Sequence, residues 1–149
     1  MDLEKLFSGE AKFTVCRIAP SVDLAALPAL AAAHQYALFV FEGSAIQDKG
    51  DFLDQFEQVM QPLDYGRNWD SFEENLEALD WIDAKGVIVL YKDFQPYVSS
   101  SKGDFEIMVD IFIQTIHFRK RRSVKSSVKP LHILLQDGSN LDIPIDWCS

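Results

Sequence analysis

Hydrophobic residues along this chain come in two rhythms: short continuous runs, and stripes spaced by three or four. The runs predict strands and the stripes predict helices. KFTVCRIA (12–19) is β-branched and aromatic enough for a strand, and Pro20 ends it. YALFVFEG (36–43), closed by Gly43, reads as a buried strand. GVIVLYKD (86–93) is the clearest buried strand, and LHILLQDG (131–138) is the last. Between them, SVDLAALPALAAAHQ is an alanine-rich helix with Ser21 as N-cap and Pro28 as a break or kink. DKGDFLDQFEQVM (48–60) spaces Phe52, Phe56, Val59 and Met60 as a helix does, and Pro62 stops it. NWDSFEENLEALDW (68–81) and DFEIMVDIFIQTIHF (104–118) are further helices. Ser99, Ser100, Ser101 and Gly103 mark a polar loop, RKRRSVKSSVK (119–129) a basic loop or frayed helix end, and SNLDIPIDWCS a short docking tail. Strands alternating with helices imply one α/β domain around a largely parallel sheet.

Charge changes the picture next. The net charge of −9 argues against a general nucleic-acid binder, because phosphate contacts need a Lys/Arg excess, and it suits attraction to basic partners. Two cysteines, Cys16 and Cys148, lie near opposite ends of the chain outside any metal-ligand spacing. A disulfide between them stays open from sequence, while two thiols in a chain of this length suit the cytoplasm. MDLEKLFSGE lacks the basic start and apolar run of a secretory signal. The apolar stretch 24–41 contains Pro28, His34 and Gln35, and a helix followed by a strand explains it better than a membrane span.

The acidity is concentrated. From Asp64 to Asp83 there are seven acidic residues and one basic residue, Arg67, a net −6 of the total −9. Asn68 is a suitable N-cap, and Ser71 with Glu74 forms a capping box if the helix begins later. Asp70, Glu73, Glu74 and Glu77 fall at helical spacing on one face, while Trp69, Phe72, Leu76 and Leu79 form a core stripe on another. Like charges at i,i+4 cost an isolated helix about 0.2–0.5 kcal/mol per pair. The helix dipole offsets that only in the first turn, so Glu77 gains little. Charge runs are usually solvated faces. Tyr65 and Gly66 before the stripe, and Trp69 and Trp81 around it, point instead to a recognition surface, because interfaces place aromatic anchors beside charged groups.

YGRNWDSFEENLEALDW (65–81) resembles the signature of the barstar family, intracellular inhibitors of secreted microbial ribonucleases. The strand ALFVFEG, the helix DFLDQFEQV, the connection MQPLDYG, the strand VIVLYKD, a helix and the strand LHILLQDG follow the family's order over roughly residues 37–137. The resemblance implies a barstar-like, three-stranded parallel sheet packed with helices over 37–149; residues 1–36 lie outside it and are expected to add a strand-helix extension packed on the domain. It implies that this helix and the loop before it plug a ribonuclease active site, acidic side chains standing in for phosphates. By position Asp70 and Glu74 match the family's contacting aspartates, and Gly66 and Asn68 match loop-shaping positions. Asp64 and Glu73 stand where the best-known inhibitor has aromatics, and Gln114 falls near an interfacial glutamate. The partner-binding set is therefore Asp64, Tyr65, Gly66, Asn68, Asp70, Glu73, Glu74, Glu77 and Trp81.

Other chemistry is thin. His34, His117 and His132 sit on separate elements, and no P-loop, GxGxxG or GxSxG occurs. No cofactor, metal or catalytic role is expected. Two alternatives remain: a barstar-like interaction module for a partner other than a ribonuclease, motivated by residues 64, 73 and 74, and nucleic-acid binding through 119–129. For the basic segment the favoured role is complementing a helix dipole.

Overall fold

The computed structural model describes residues 1–138 and 141–148. Its strands are β1 (Phe13–Ile18), β2 (Tyr36–Glu42), β3 (Gly86–Lys92) and β4 (Leu131–Gln136). They form one parallel sheet in the order β1-β4-β3-β2. The helices are α1 (Leu27–Ala33), α2 (Lys49–Met60), α3 (Trp69–Ala78) and α4 (Gln95–Ser123). The α/β class and the parallel sheet agree with expectation. The N-terminal strand joins the sheet beside β4, Phe13 facing Leu131 through to Ile18 facing Gln136, which makes four strands.

The period-2 geometry of β3 separates its side chains onto two cores. Val87, Val89 and Tyr91 join Phe52, Phe72 and Phe112 from α2, α3 and α4. Ile88 and Leu90 join Ile18, Leu27 and Leu134 on the opposite face, closed by α1 and a 3₁₀ turn at Leu3–Phe7. β3 is buried on both faces, which is why it reads as an unbroken apolar run. β2 shows the same kind of run but lies at the sheet edge, and five of its residues are only half-buried. A run of apolar residues reports covered faces and cannot report an unpaired edge. At the end of β2 the Gln55 side chain accepts from the Glu42 N–H and donates to its carbonyl. The chain then turns at Gly43, whose backbone lies so close to the Lys92 and Asp93 carbonyls that no Cβ fits.

Three local expectations need correction. α1 starts at Leu27 with Ala26 as N-cap, so Ser21 lies outside it. Pro28 sits in the first turn of the helix instead of breaking it, because its missing N–H belongs to a first-turn residue that has no intrahelical acceptor. The serine-rich segment expected as a loop is helical from Gln95, with Pro96 in the first turn and a kink at Ser101 (φ −149°, ψ 61°). Tyr97 and Phe105 are buried on either side of the kink and hold both parts to the sheet. α4 also continues to Ser123 and absorbs the first half of the basic segment.

The tail docks along β1. Arg17 N–H donates to the Asp146 carbonyl and Cys148 N–H to the Arg17 carbonyl, each at 2.8 Å. Cys16 and Cys148 are joined as a disulfide, so the reading of two thiols is replaced by a staple across 132 residues of sequence. Beneath it Arg17 pairs with buried Asp137 at 2.8 Å and donates to the Leu141 carbonyl, with the Trp147 ring 4.5 Å over its guanidinium. Of the tail expected at 139–149, Ser139, Asn140 and Ser149 lie outside the described residues.

Candidate functional site

α2 ends where Gln61 turns left-handed (φ 49°), and the chain passes through Pro62 into the loop before α3. That loop is held from within. Tyr65 Oη donates to the Leu53 carbonyl at 2.8 Å while its ring packs on Phe56. Burial, then the charge of Glu57, raises the phenol to about 12, so the donor keeps its proton. Gly66 N–H donates to Ser71 Oγ at 2.8 Å. Asn75 Nδ2 donates to the Asp64 carbonyl at 3.0 Å, and Asn68 Nδ2 to the Gly66 carbonyl at 3.1 Å. Arg67 (φ 48°) reaches back to Asp54.

α3 starts as expected at its cap. Asn68 Oδ1 accepts from the Ser71 N–H at 2.8 Å. Ser71 therefore lies in the first turn, with its hydroxyl accepting from Gly66, and the Ser71–Glu74 capping box is not formed. Phe72, Leu76 and Leu79 are buried and Trp69 is half-buried, with Lys49 Nζ 5.6 Å over its ring. Asp64, Asp70 and Glu74 are exposed, and Glu73 and Glu77 are half-buried. Among the described residues none of these five carboxylates is ion-paired within the chain. Burial raises the Glu77 pKa, Glu73 and Glu74 raise it further, and Arg121 and Arg122 oppose them.

The far end of α3 depends on two cations. Arg119 is buried and donates to the Glu77 carbonyl (2.6 Å) and the Lys129 carbonyl (2.6 Å). Lys129 Nζ donates to the carbonyls of Leu79 and Ile82. These cations satisfy carbonyls at and just beyond the helix end and complement its dipole. Burial lowers the Arg119 pKa to about 10, and the charge of Arg122 lowers it too. Lys120, Arg121 and Arg122 fall in the last turn of α4, as expected of cations complementing that helix's dipole, while Arg119 and Lys129 serve the end of α3.

The nine residues singled out by sequence divide by job. Asp64, Asp70, Glu73, Glu74 and Glu77 supply an acidic face. Tyr65, Gly66 and Asn68 shape the loop, and Trp81 Nε1 donates to the Met60 carbonyl at 2.8 Å, so this ring holds α2 to the end of α3. Leu63, which the sequence reading passed over, is 87% exposed at the loop tip. Its signal was an apolar residue between Pro62 and Asp64 that belongs to neither core stripe. The site is a rigid acidic ledge with an apolar tip, suited to accept hydrogen bonds from guanidinium and ammonium groups.

Elsewhere the chemistry stays sparse. His34 stacks on Phe7, His117 is exposed, and His132 is buried with Nδ1 2.8 Å from Thr14 Oγ1. Among the described residues no His/Cys/Asp/Glu group is arranged to hold a metal. No helix among them is long and apolar enough to cross a membrane.

Residues 36–131 match the family described as Barstar (barnase inhibitor). No curated protein matches the chain. Among solved structures, the ORC2 protein of Aeropyrum pernix, determined in ADPNP–ADP complexes, is similar in fold, with a TM-score of 0.56 at 15% identity. The alignment covers 92% of this chain but 38% of that protein. At that identity the likeness concerns the arrangement of strands and helices alone.

Proposed function

The chain belongs to the barstar family, and from that premise we propose that it is a protein inhibitor of a basic ribonuclease. The inhibitor works by occlusion, with no catalysis of its own. Asp70, Glu73 and Glu74 occupy the phosphate sites of the enzyme, and Asp64 and Leu63 cover the adjoining wall.

One observation carries this reading. Among the described residues none of the five carboxylates of the ledge is ion-paired within the chain, while Tyr65, Gly66, Asn68 and the Asp64 carbonyl are already held by hydrogen bonds. The helix is therefore preorganised with its charge left unsatisfied, which lowers the ordering cost of binding and reserves the charge for a partner. A net charge of −9 steers a basic protein toward it, and salt slows that encounter.

A second reading, an interaction module for a basic protein that is not a ribonuclease, is favoured by Asp64 and Glu73, which replace aromatic contacts of the best-known inhibitor. The cytoplasmic expectation rested in part on reading the cysteines as thiols. The Cys16–Cys148 bond removes that one part, because disulfides persist mainly in oxidising compartments.

The test is affinity capture from native extract and culture medium, followed by a fluorogenic RNA-cleavage assay on the captured protein. Wild type should capture and silence a small basic ribonuclease, and Asp70→Ala/Glu74→Ala should release it. A partner held equally by both chains would sink the reading.

A further inference from the structure

Four cations of the basic segment take no part in capping α3: Lys120, Arg121, Arg122 and Lys125 are exposed. Their placement follows from the capping itself. Arg119 bonds the Glu77 carbonyl, which brings the last turns of α4 against the end of α3. Arg122, one turn on from Arg119, and its neighbour Arg121 both act electrostatically on the Glu77 carboxyl. On α3, Glu73 and Glu77 lie on the flank toward α4, whereas Ser71 and Asn75 lie on the flank toward the loop. At the end of α4 and just beyond it, Phe118, Arg121, Arg122 and Lys125 line one shallow concavity, and Val124 beside them is 82% exposed. The outer surface therefore runs from the apolar tip at Leu63, across the acidic ledge, to a cationic ridge with its own apolar residue.

A ledge meant for a uniformly basic partner would not have a cationic ridge at its border, since each like charge facing the partner costs association. Resting on the function proposed above, we propose that the binding surface is two-signed. The ledge and the ridge engage one protein, whose cationic cleft is bordered by an acidic patch that meets Arg121, Arg122 and Lys125. The ledge supplies most of the affinity, and the ridge selects among basic proteins by rejecting those lacking the acidic border.

The sign of one effect tests this. The protein captured by wild type is purified and titrated with wild type, with Arg121→Glu/Arg122→Glu, with Lys125→Glu and with Asp70→Ala/Glu74→Ala. The three variants are compared with wild type after circular dichroism shows native folds. The two-signed surface predicts that the double arginine reversal weakens binding about tenfold, about 1.4 kcal/mol shared between two rim pairs, and that Lys125→Glu weakens it less. A photo-crosslinker placed at Val124 should join the same protein that one at Leu63 joins. Unchanged or tighter binding by the arginine reversal overturns the proposal, because a uniformly basic partner is repelled by the ridge. That result leaves the inhibitor reading standing if Asp70→Ala/Glu74→Ala still abolishes capture. Loss of binding in the ridge variants alone, with the ledge variant unaffected, overturns both. A labelled oligoribonucleotide bound by wild type and lost in the arginine reversal would assign the ridge to nucleic acid and also overturn the proposal.

Discussion

Replacing Cys148 with serine opens the staple between the tail and β1. In the chain-entropy account a crosslink stabilises by constraining the unfolded chain, and the effect grows with the logarithm of the closed loop. A sequence separation of 132 gives a ceiling of about 5 kcal/mol at 25 °C. Part of that is lost because removing the bond also frees the tail, whose two backbone bonds to Arg17 and the Trp147 contact hold it only weakly without the crosslink. Cys148→Ser should therefore lower the unfolding free energy by about 2–4 kcal/mol in urea titration. For a domain of this size each kcal/mol moves the midpoint by about 2–4 °C, so Tm should fall by about 4–16 °C. The wild type in dithiothreitol should match the variant. The staple lies at the β1 edge and the ledge on α3, so partner affinity should be unchanged. Two titratable thiols per wild-type chain unfolded without reductant, or equal stability of both chains, would refute the reasoning.

Other expectations concern the cap, the buried imidazole and the ledge. Arg119→Met leaves the Glu77 and Lys129 carbonyls without their donor and should cost about 2–4 kcal/mol, with faster amide exchange at the end of α3 as the specific sign. Burial lowers the His132 pKa from 6.5 to about 4. Protonation below pH 6.5 then favours the unfolded chain, so stability is full above that pH and declines as pH falls toward 4, by up to roughly 3 kcal/mol. His132→Gln should flatten that part of the stability profile, and an unchanged slope would assign the acid loss to other groups. Glu74→Ala should leave stability within about 0.5 kcal/mol, because the side chain is exposed. It should weaken the captured complex by about 2–5 kcal/mol, mainly through a faster off-rate in surface plasmon resonance. A loss below about 1 kcal/mol would place Glu74 at the rim of the interface.

Much of the site was legible along the chain. The Asn68 cap, the acidic stripe and the separate core stripe of α3 are properties of about a dozen consecutive residues, where helical spacing and local hydrogen bonding decide the outcome. The same holds for β3, whose apolar run states that both faces are covered. What that reading missed has a common cause. Besides their place in the expected partner-binding set, Tyr65 and Trp81 each give a polar hydrogen to a carbonyl of α2, 12 or 21 residues away, which local spacing does not report. Leu63 is conspicuous only once the neighbouring apolar residues are seen to turn inward.

The amino-acid sequence by itself determined the four strands and the core of each helix, the parallel α/β class and the concentration of negative charge on one helix, because these depend on side-chain period and composition. Tertiary structure alone decided that β1 pairs with β4, that Cys16 meets Cys148, and that one basic segment divides into two caps of α3 and an exposed ridge. Those outcomes rest on contacts between residues far apart in the chain, and only the packed sheet brings such residues within bonding distance.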